Sequence, residues 1–246
     1  MKLRSLAPPC GLLTALAAGL LPTGALAQSD WGGIFSALTL TSDYRYQGVS
    51  NSDGPALQGY VHWQRRDGLY AGLFATQVDF DDGSGGPTYE LDLYGGKHLD
   101  LKDGKTRLTV EAMFTAFPDE HVWGPTYNFV QLKAAARRTD GPWTLAATTS
   151  FVPEASYGAG QAWRLEGEAA YAVRPGLTLN AGLGRRWVER GQDRTYWTLG
   201  GAATWKQVTF ELRYEDTDLG RAKCGFSDRC DAALIGALRL PLPPIT

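Results

Sequence analysis

The chain has 246 residues, enough for one domain. Its 24 basic and 26 acidic residues give a formal charge of −2, which excludes the strongly basic surface a nucleic-acid partner needs. Beyond an N-terminal leader no apolar run reaches the ~18 residues of a membrane helix, and no linker or low-complexity tract divides the chain.

Lys2 and Arg4 make a positive start, Leu12 to Leu21 is a short apolar run, Pro22 and Gly24 break it, and Ala25-Leu26-Ala27 has the A-x-A form of a cleavage site. Residues 1–27 are therefore expected to be a secretory signal peptide. Cys10 precedes the apolar run, where a lipoprotein cleavage would not place it. Removing 27 residues leaves 219 from Gln28, with 22 basic and 26 acidic residues and a charge of about −4.

From Leu38 the sequence alternates. Leu38, Leu40, Tyr44 and Tyr46 fall on one strand face, and Thr39, Thr41, Asp43 and Arg45 on the other. The pattern breaks at Gly48, passes a polar loop closed by Asp53-Gly54-Pro55, and resumes from Ala56. Farther on, Tyr89, Leu91 and Leu93 oppose Glu90 and Asp92. Thr106 to Phe117 sets Leu108, Val110, Ala112 and Phe114 against Arg107, Thr109 and Glu111. Ala162 to Val173 sets Trp163, Leu165, Ala169 and Tyr171 against Arg164, Glu166 and Glu168. Val208 to Glu215 sets Val208, Phe210, Leu212 and Tyr214 against Thr209, Glu211, Arg213 and Glu215. A helix would need a period of 3.6, which these segments lack. Leu69 to Gln77 and Ala232 to Leu240 are apolar on both faces and are assigned as strands from their spacing and flanking turns.

The count is about twelve strands. Short turns at Arg66-Asp67-Gly68, Thr139-Asp140-Gly141, Arg174-Pro175-Gly176 and Lys206-Gln207 alternate with longer polar connections around residues 48–55, 81–87, 118–125, 153–160, 189–194 and 216–230. Asp-Gly suits a two-residue hairpin because it tolerates positive φ. Leu99 to Lys105 is long for its place among the short turns. Short turns at one end and long loops at the other predict an all-β, transmembrane, antiparallel up-and-down β-barrel over residues 28–240, with turns in the periplasm. Proline cannot donate to a strand ladder, so the last strand is expected to stop near Leu240, leaving 241–246 as a proline-rich tail.

Turning the charged face toward hydrocarbon would cost roughly 2–4 kcal/mol per cation at the midplane, which over several strands exceeds any net stability. Charges therefore face inward. Trp31, Tyr44, Tyr46, Trp63, Trp143, Trp163, Trp187, Trp197 and Trp205, near strand ends, suit interfacial girdles. A soluble lipocalin-like barrel or sandwich would instead bury the apolar face around an apolar ligand; strand number and loop asymmetry favour the membrane. The even cysteine count of an exported chain predicts a disulfide between Cys224 and Cys230, worth roughly 2 kcal/mol. The other readings are free thiols, or a metal site for which no His lies near in sequence.

The stretch Thr41-Ser42-Asp43-Tyr44-Arg45-Tyr46-Gln47-Gly48-Val49-Ser50, followed by Pro55-Ala56-Leu57-Gln58-Gly59, resembles the signature of the TorF family of bacterial outer-membrane porins. Gly68 to Gly72, Glu90 to Gly95, Phe117-Pro118 and Tyr214 to Asp218 echo it later in the chain. Gln47 stands where that family usually has Arg, and the proline-rich end replaces a terminal aromatic strand. The resemblance implies an outer-membrane channel of unassigned substrate, in contact with outer-membrane lipid and lipopolysaccharide and passing small hydrophilic solutes.

Twelve strands give a backbone diameter of roughly 24 Å, narrowed by side chains to about 10 Å or less. The pore-lining candidates are Asp43, Arg45, Glu90, Asp92, Arg107, Glu111, Arg164, Glu166, Glu168, Glu211, Arg213 and Glu215, joined by Lys133, Arg137 and Arg186. Near balance between these acids and bases predicts weak charge selectivity. The alternative is a structural or adhesive barrel whose lumen is filled by cross-strand ion pairs. A third reading, a lipid-modifying enzyme, would need a catalytic His. His62, His98 and His121 lie on a strand, by a turn and in an acidic loop, and no G-x-S-x-G appears. Asp79, Asp81, Asp82 and Glu90 resemble a calcium loop only loosely, with Ser84 where glycine is required. No cofactor, metal or catalytic role is expected.

Overall fold

The computed structural model describes residues 32–80, 86–120, 126–224 and 227–245. The expected signal peptide, Trp31, Asp81, Asp82 and His121 lie outside those residues. In chain order the strands are β1 (Gly33–Thr41), β2 (Arg45–Tyr46), β3 (Val49–Ser50), β4 (Ala56–Gln64), β5 (Leu69–Gln77), β6 (Tyr89–Asp100) and β7 (Thr106–Ala116). Then follow β8 (Phe129–Asp140), β9 (Trp143–Ala155), β10 (Gly160–Arg174), β11 (Leu177–Val188), β12 (Arg194–Trp205), β13 (Val208–Thr217) and β14 (Ala233–Ile245).

All but β2 and β3 form one closed antiparallel barrel in which each strand pairs with its sequence neighbours and β1 closes on β14. Closure leaves no unpaired sheet edge, the condition for a sheet to sit in lipid. The period-two pattern sorts the side chains as expected. Leu199 is 64 % and Leu93 60 % exposed on the outside, while Asp92 and Glu215 are 0 % exposed within. Apolar groups outside and ionisable groups inside invert a soluble domain, and set aside the soluble barrel.

The six tryptophans among the described residues form two belts. Trp63, Trp143 and Trp205 lie toward the short-turn end, and Trp163, Trp187 and Trp197 toward the long-loop end. Trp163 is opposite Phe151, eight residues along β9 from Trp143. That is about 26 Å of strand, or roughly 20 Å along the barrel axis at a tilt of about 40°, close to the ~25 Å apolar band of such barrels.

The turns follow local chemistry. Gly68 has φ +89°, and a Cβ there would lie 2.2 Å from the His98 carbonyl oxygen, so only glycine fits. The long turn after β6 is organised by Asp103, which accepts hydrogen bonds from the amides of Lys105 and Thr106, both at 2.9 Å.

Three expectations are corrected. Residues 153–160 are not a long loop: β9 continues to Ala155, a single 3-10 turn follows, and β10 begins at Gly160. Strand β14 does not stop near Leu240 but runs through Pro241, Pro243 and Pro244 to Ile245. The reason is geometric. Ser42 donates to the Gly236 carbonyl, so by the two-residue period the even-numbered residues of β14 bond β1 and the odd ones face β13. β13 pairing ends at Arg239, so Pro241 and Pro243 face no partner strand, and Pro244 falls in the bulge between Ile34 and Ser36. Third, Tyr44 and Tyr46 do not join the outer aromatic face, because the chain leaves the barrel wall after Thr41 and turns inward.

Candidate functional site

The lumen is crossed at its long-loop end by residues 42–55. Within this segment β2 and β3 pair as a small hairpin whose turn residues Gln47 and Gly48 have φ of 57° and 84°, the positive values of a tight hairpin turn. Asp43 organises the base, accepting from Arg45 Nε and from Ser50 Oγ, each at 2.6 Å. Ser52 Oγ accepts the Tyr44 amide at 2.8 Å.

Both walls hold it. The Tyr44 hydroxyl donates to Glu90 Oε1 on β6 at 2.7 Å. Across the lumen Arg194 on β12 donates to the Tyr46 carbonyl at 3.1 Å, and the Gly48 amide donates to Glu215 Oε1 on β13 at 3.1 Å. β6 and β12 are six strands apart in a ring of twelve, so the segment bridges opposite walls. A Cβ on Gly48 would lie 2.8 Å from Thr217 Cβ, which shows how close the hairpin tip presses on the wall. Tyr44 packs with Ala56, Val78, Phe117 and Tyr127 in an apolar cluster below the loops.

The β13–β14 connection braces this segment from outside. Arg45 donates to the Asp231 carbonyl at 2.7 Å, the Ser50 amide to the Arg229 carbonyl at 2.9 Å, and Arg229 lies 3.6 Å from Asp53. Cys224 and Cys230 are joined by a disulfide in that connection, with Cα atoms 6.1 Å apart.

Below the segment the wall has two characters. The β4–β7 sector carries bulky inward side chains, with Tyr70 stacked between His62 and His98 at ring distances of 5.3 and 4.3 Å. The β8–β12 sector sets small residues, Ala135, Ala146, Ala170, Gly182, Gly200 and Ala202, between the charged ones on its inner face. Ion pairs stud both. Glu111 pairs with Lys133 at 2.6 Å and accepts the Tyr70 hydroxyl at 2.8 Å. Glu166 accepts the Tyr196 hydroxyl at 2.6 Å and lies 3.5 Å from Arg164. Arg213 bridges Glu211 and Glu215 at 3.0 and 3.2 Å.

Of the residues expected to line a pore, Glu90, Asp92, Arg107, Glu111, Arg164, Glu166, Glu168, Glu211, Arg213 and Glu215 lie on the inner faces of β6, β7, β10 and β13. Asp43 and Arg45 lie in the inward segment instead. Sequence reasoning missed Arg194, Arg239 and the inward tyrosines. The polar run at 189–194 reads as loop, yet Arg194 opens β12 directly opposite Arg186. Buried polar atoms such as Asp92 Oδ2, Gln131 Oε1 and Asn180 Nδ2 have no protein partner among the described residues, as expected of a wet interior. Among those residues no group of three or more His, Cys, Asp or Glu could hold a metal ion.

In the loops and turns, hydrogen bonds set the carboxyl groups. The Thr106 hydroxyl and the amides of Lys105 and Thr106 hold Asp103 down at about 2. The Arg221 hydrogen bond lowers Asp231. Burial pushes the Asp119 carboxyl up, but hydrogen bonds from the Thr88 hydroxyl and amide outweigh it, and the group lies below its usual value.

Residues 27–235 match the family model Gcw_chp, described as a bacterial protein of unknown function. No curated protein is similar to the chain at a significant level. Solved structures with the same fold include the KdgM porin, at TM-score 0.56 and 6 % identity over 85 % of this chain and 98 % of that one. A second structure of that porin is in complex with disordered oligogalacturonate, at TM-score 0.53 and 6 % identity over 87 % and 98 % of the two chains. The COG4313 outer membrane channel from Pseudomonas putida F1 matches at TM-score 0.55 and 13 % identity, over 90 % and 98 % of the two chains. The barrel fold is thus that of outer-membrane porins.

Proposed function

The chain belongs to the Gcw_chp family, and we propose that it is an outer-membrane channel, without a catalytic role, through which small hydrophilic solutes pass passively. The observation that carries this is the inverted barrel with a peptide segment folded across its long-loop mouth. An apolar exterior with two tryptophan belts suits lipid, and a polar lumen with small residues between its charged ones suits hydrated solutes. Near balance of inward acids and bases gives weak selectivity between simple ions. That the similarly folded KdgM porin is in complex with oligogalacturonate supports a hydrophilic solute. The resemblance to the TorF porins falls largely on the inward segment, where Asp43, Tyr44, Arg45, Gly48 and Ser50 each make the contacts described above.

A second reading, a barrel whose lumen is closed, draws on the near-complete burial of Asp92, Glu215 and Arg45, at 0, 0 and 5 % exposure. Planar-bilayer recording separates the two. The channel gives discrete conductance steps that grow at least twofold when residues 45–50 are replaced by a short Gly-Ser bridge. Folded protein that stays silent in both forms establishes the closed barrel.

A further inference from the structure

Arg164, Arg186 and Arg194 stand in one row across three adjacent strands. Arg164 on β10 is directly opposite Arg186 on β11, and Arg186 is directly opposite Arg194 on β12, all on the lumen side. Like charges placed directly opposite across a sheet destabilise it, so consecutive cationic pairs call for a counter-charge.

The protein supplies only part of one. Glu166 lies 3.5 Å from Arg164 but also accepts the Tyr196 hydroxyl. Glu168 faces Glu166 as well as Arg137 and Arg164. Glu215, an acid that interacts electrostatically with Arg194, already serves Arg213 and the Gly48 amide. Arg194 spends its Nη2 on neutral acceptors, the Tyr46 carbonyl and Gln47 Oε1, at 3.1 and 3.3 Å. The Nε groups of Arg164 and Arg194 have no partner among the described residues, and the Arg186 side chain has no hydrogen bond or ion pair among them. Guanidinium groups present a planar fork of donors that matches carboxylate and phosphate oxygens.

We infer that the Arg164–Arg186–Arg194 row, roofed by Tyr46 and Gln47, is an oxyanion-binding subsite that takes the phosphate or carboxylate group of a small solute. Its place on a permeation path rests on the channel reading; its affinity for oxyanions does not. Selection here is for oxyanion geometry, which is compatible with weak discrimination between simple ions.

The test uses the full protein in detergent, with folding checked by heat-modifiable mobility. Calorimetric titration at constant ionic strength with inorganic phosphate, succinate and chloride should give saturable binding of at least one oxyanion and none of chloride. Phosphate alone marks an inorganic-ion site, and succinate a carboxylate site. Arg186→Gln should weaken binding at least tenfold, and Arg186→Lys, which keeps the charge but loses the fork, severalfold. Arg185→Gln makes the same charge change one residue away on the outer face and should leave affinity unchanged. Absence of saturable oxyanion binding by folded protein overturns the subsite, as does equal loss in the Arg185 and Arg186 variants. If Arg186→Gln does not fold, Arg186→Lys decides: unchanged affinity overturns the subsite. Silent bilayers with oxyanion binding intact remove the channel and leave the subsite; conducting barrels without binding do the reverse.

Discussion

Gly96 has no side chain because Tyr70 occupies its place. A Cβ there would sit 2.6 Å from the Tyr70 hydroxyl oxygen and 2.2 Å from the Val110 carbonyl oxygen. Tyr94 covers Gly72 and Tyr196 covers Gly184 in the same way. Lying flat against a glycine aims each ring along the wall, so the Tyr70 and Tyr196 hydroxyls reach Glu111 and Glu166. Gly96→Ala should therefore destabilise the barrel by about 1–3 kcal/mol, the usual cost of overpacking, read as a lower urea midpoint for unfolding from detergent. A glycine in a strand could be noted from sequence, but the tyrosine filling it could not. Tyr70 and Gly96 are brought together by the β5–β6 register, which alternation alone does not number. Arg194 illustrates the same limit, since its position at the start of β12 followed polar residues that read as loop.

The strands were the most legible elements because a lipid-facing and a lumen-facing side impose opposite chemistry on alternate residues. The segment at residues 42–55 was not. Tyr44 and Tyr46 keep the alternation after the chain has left the wall, and their rings pass for girdle residues until Glu90 and the loop cluster are seen around Tyr44. The proline-bearing end of β14 was hidden for a related reason, since whether a missing amide matters depends on where the neighbouring strand ends. Loop elements also carry the pH response. Asp119 joins the β7–β8 connection to Thr88 ahead of β6, and its carboxyl lies below the usual value in the folded protein. A depressed folded pKa gives stability that is present above the unfolded value of about 3.9 and is lost as pH falls through the folded one. The protection of the Thr88 amide against exchange, relative to an unstructured peptide at the same pH, should accordingly fall below about pH 4, and Asp119→Asn should remove that dependence.

At the scale of the molecule, exterior and interior exchange the roles they have in a soluble domain; alternation alone suits either kind of barrel, and strand number with loop asymmetry points to this one. Leu199 sits midway along β12, 64 % exposed, between the two tryptophan belts. Leu199→Arg should cost roughly 2–4 kcal/mol in a bilayer, seen as a lower folding yield into vesicles. A surface leucine of a soluble protein would show almost no effect.

The inward segment follows the first barrel strand, yet its anchors come from much later in the chain. Tyr44 contacts a residue 46 positions on, Gly48 one 167 positions on, and Arg45 one 186 positions on. Contacts of such long range must await the slow closing of large loops. Final constriction of the mouth is thus a late event in assembly: an incompletely zipped cylinder holds the peptide by one wall at most, and dye-release from vesicles during refolding should rise before it falls to the level of the finished protein.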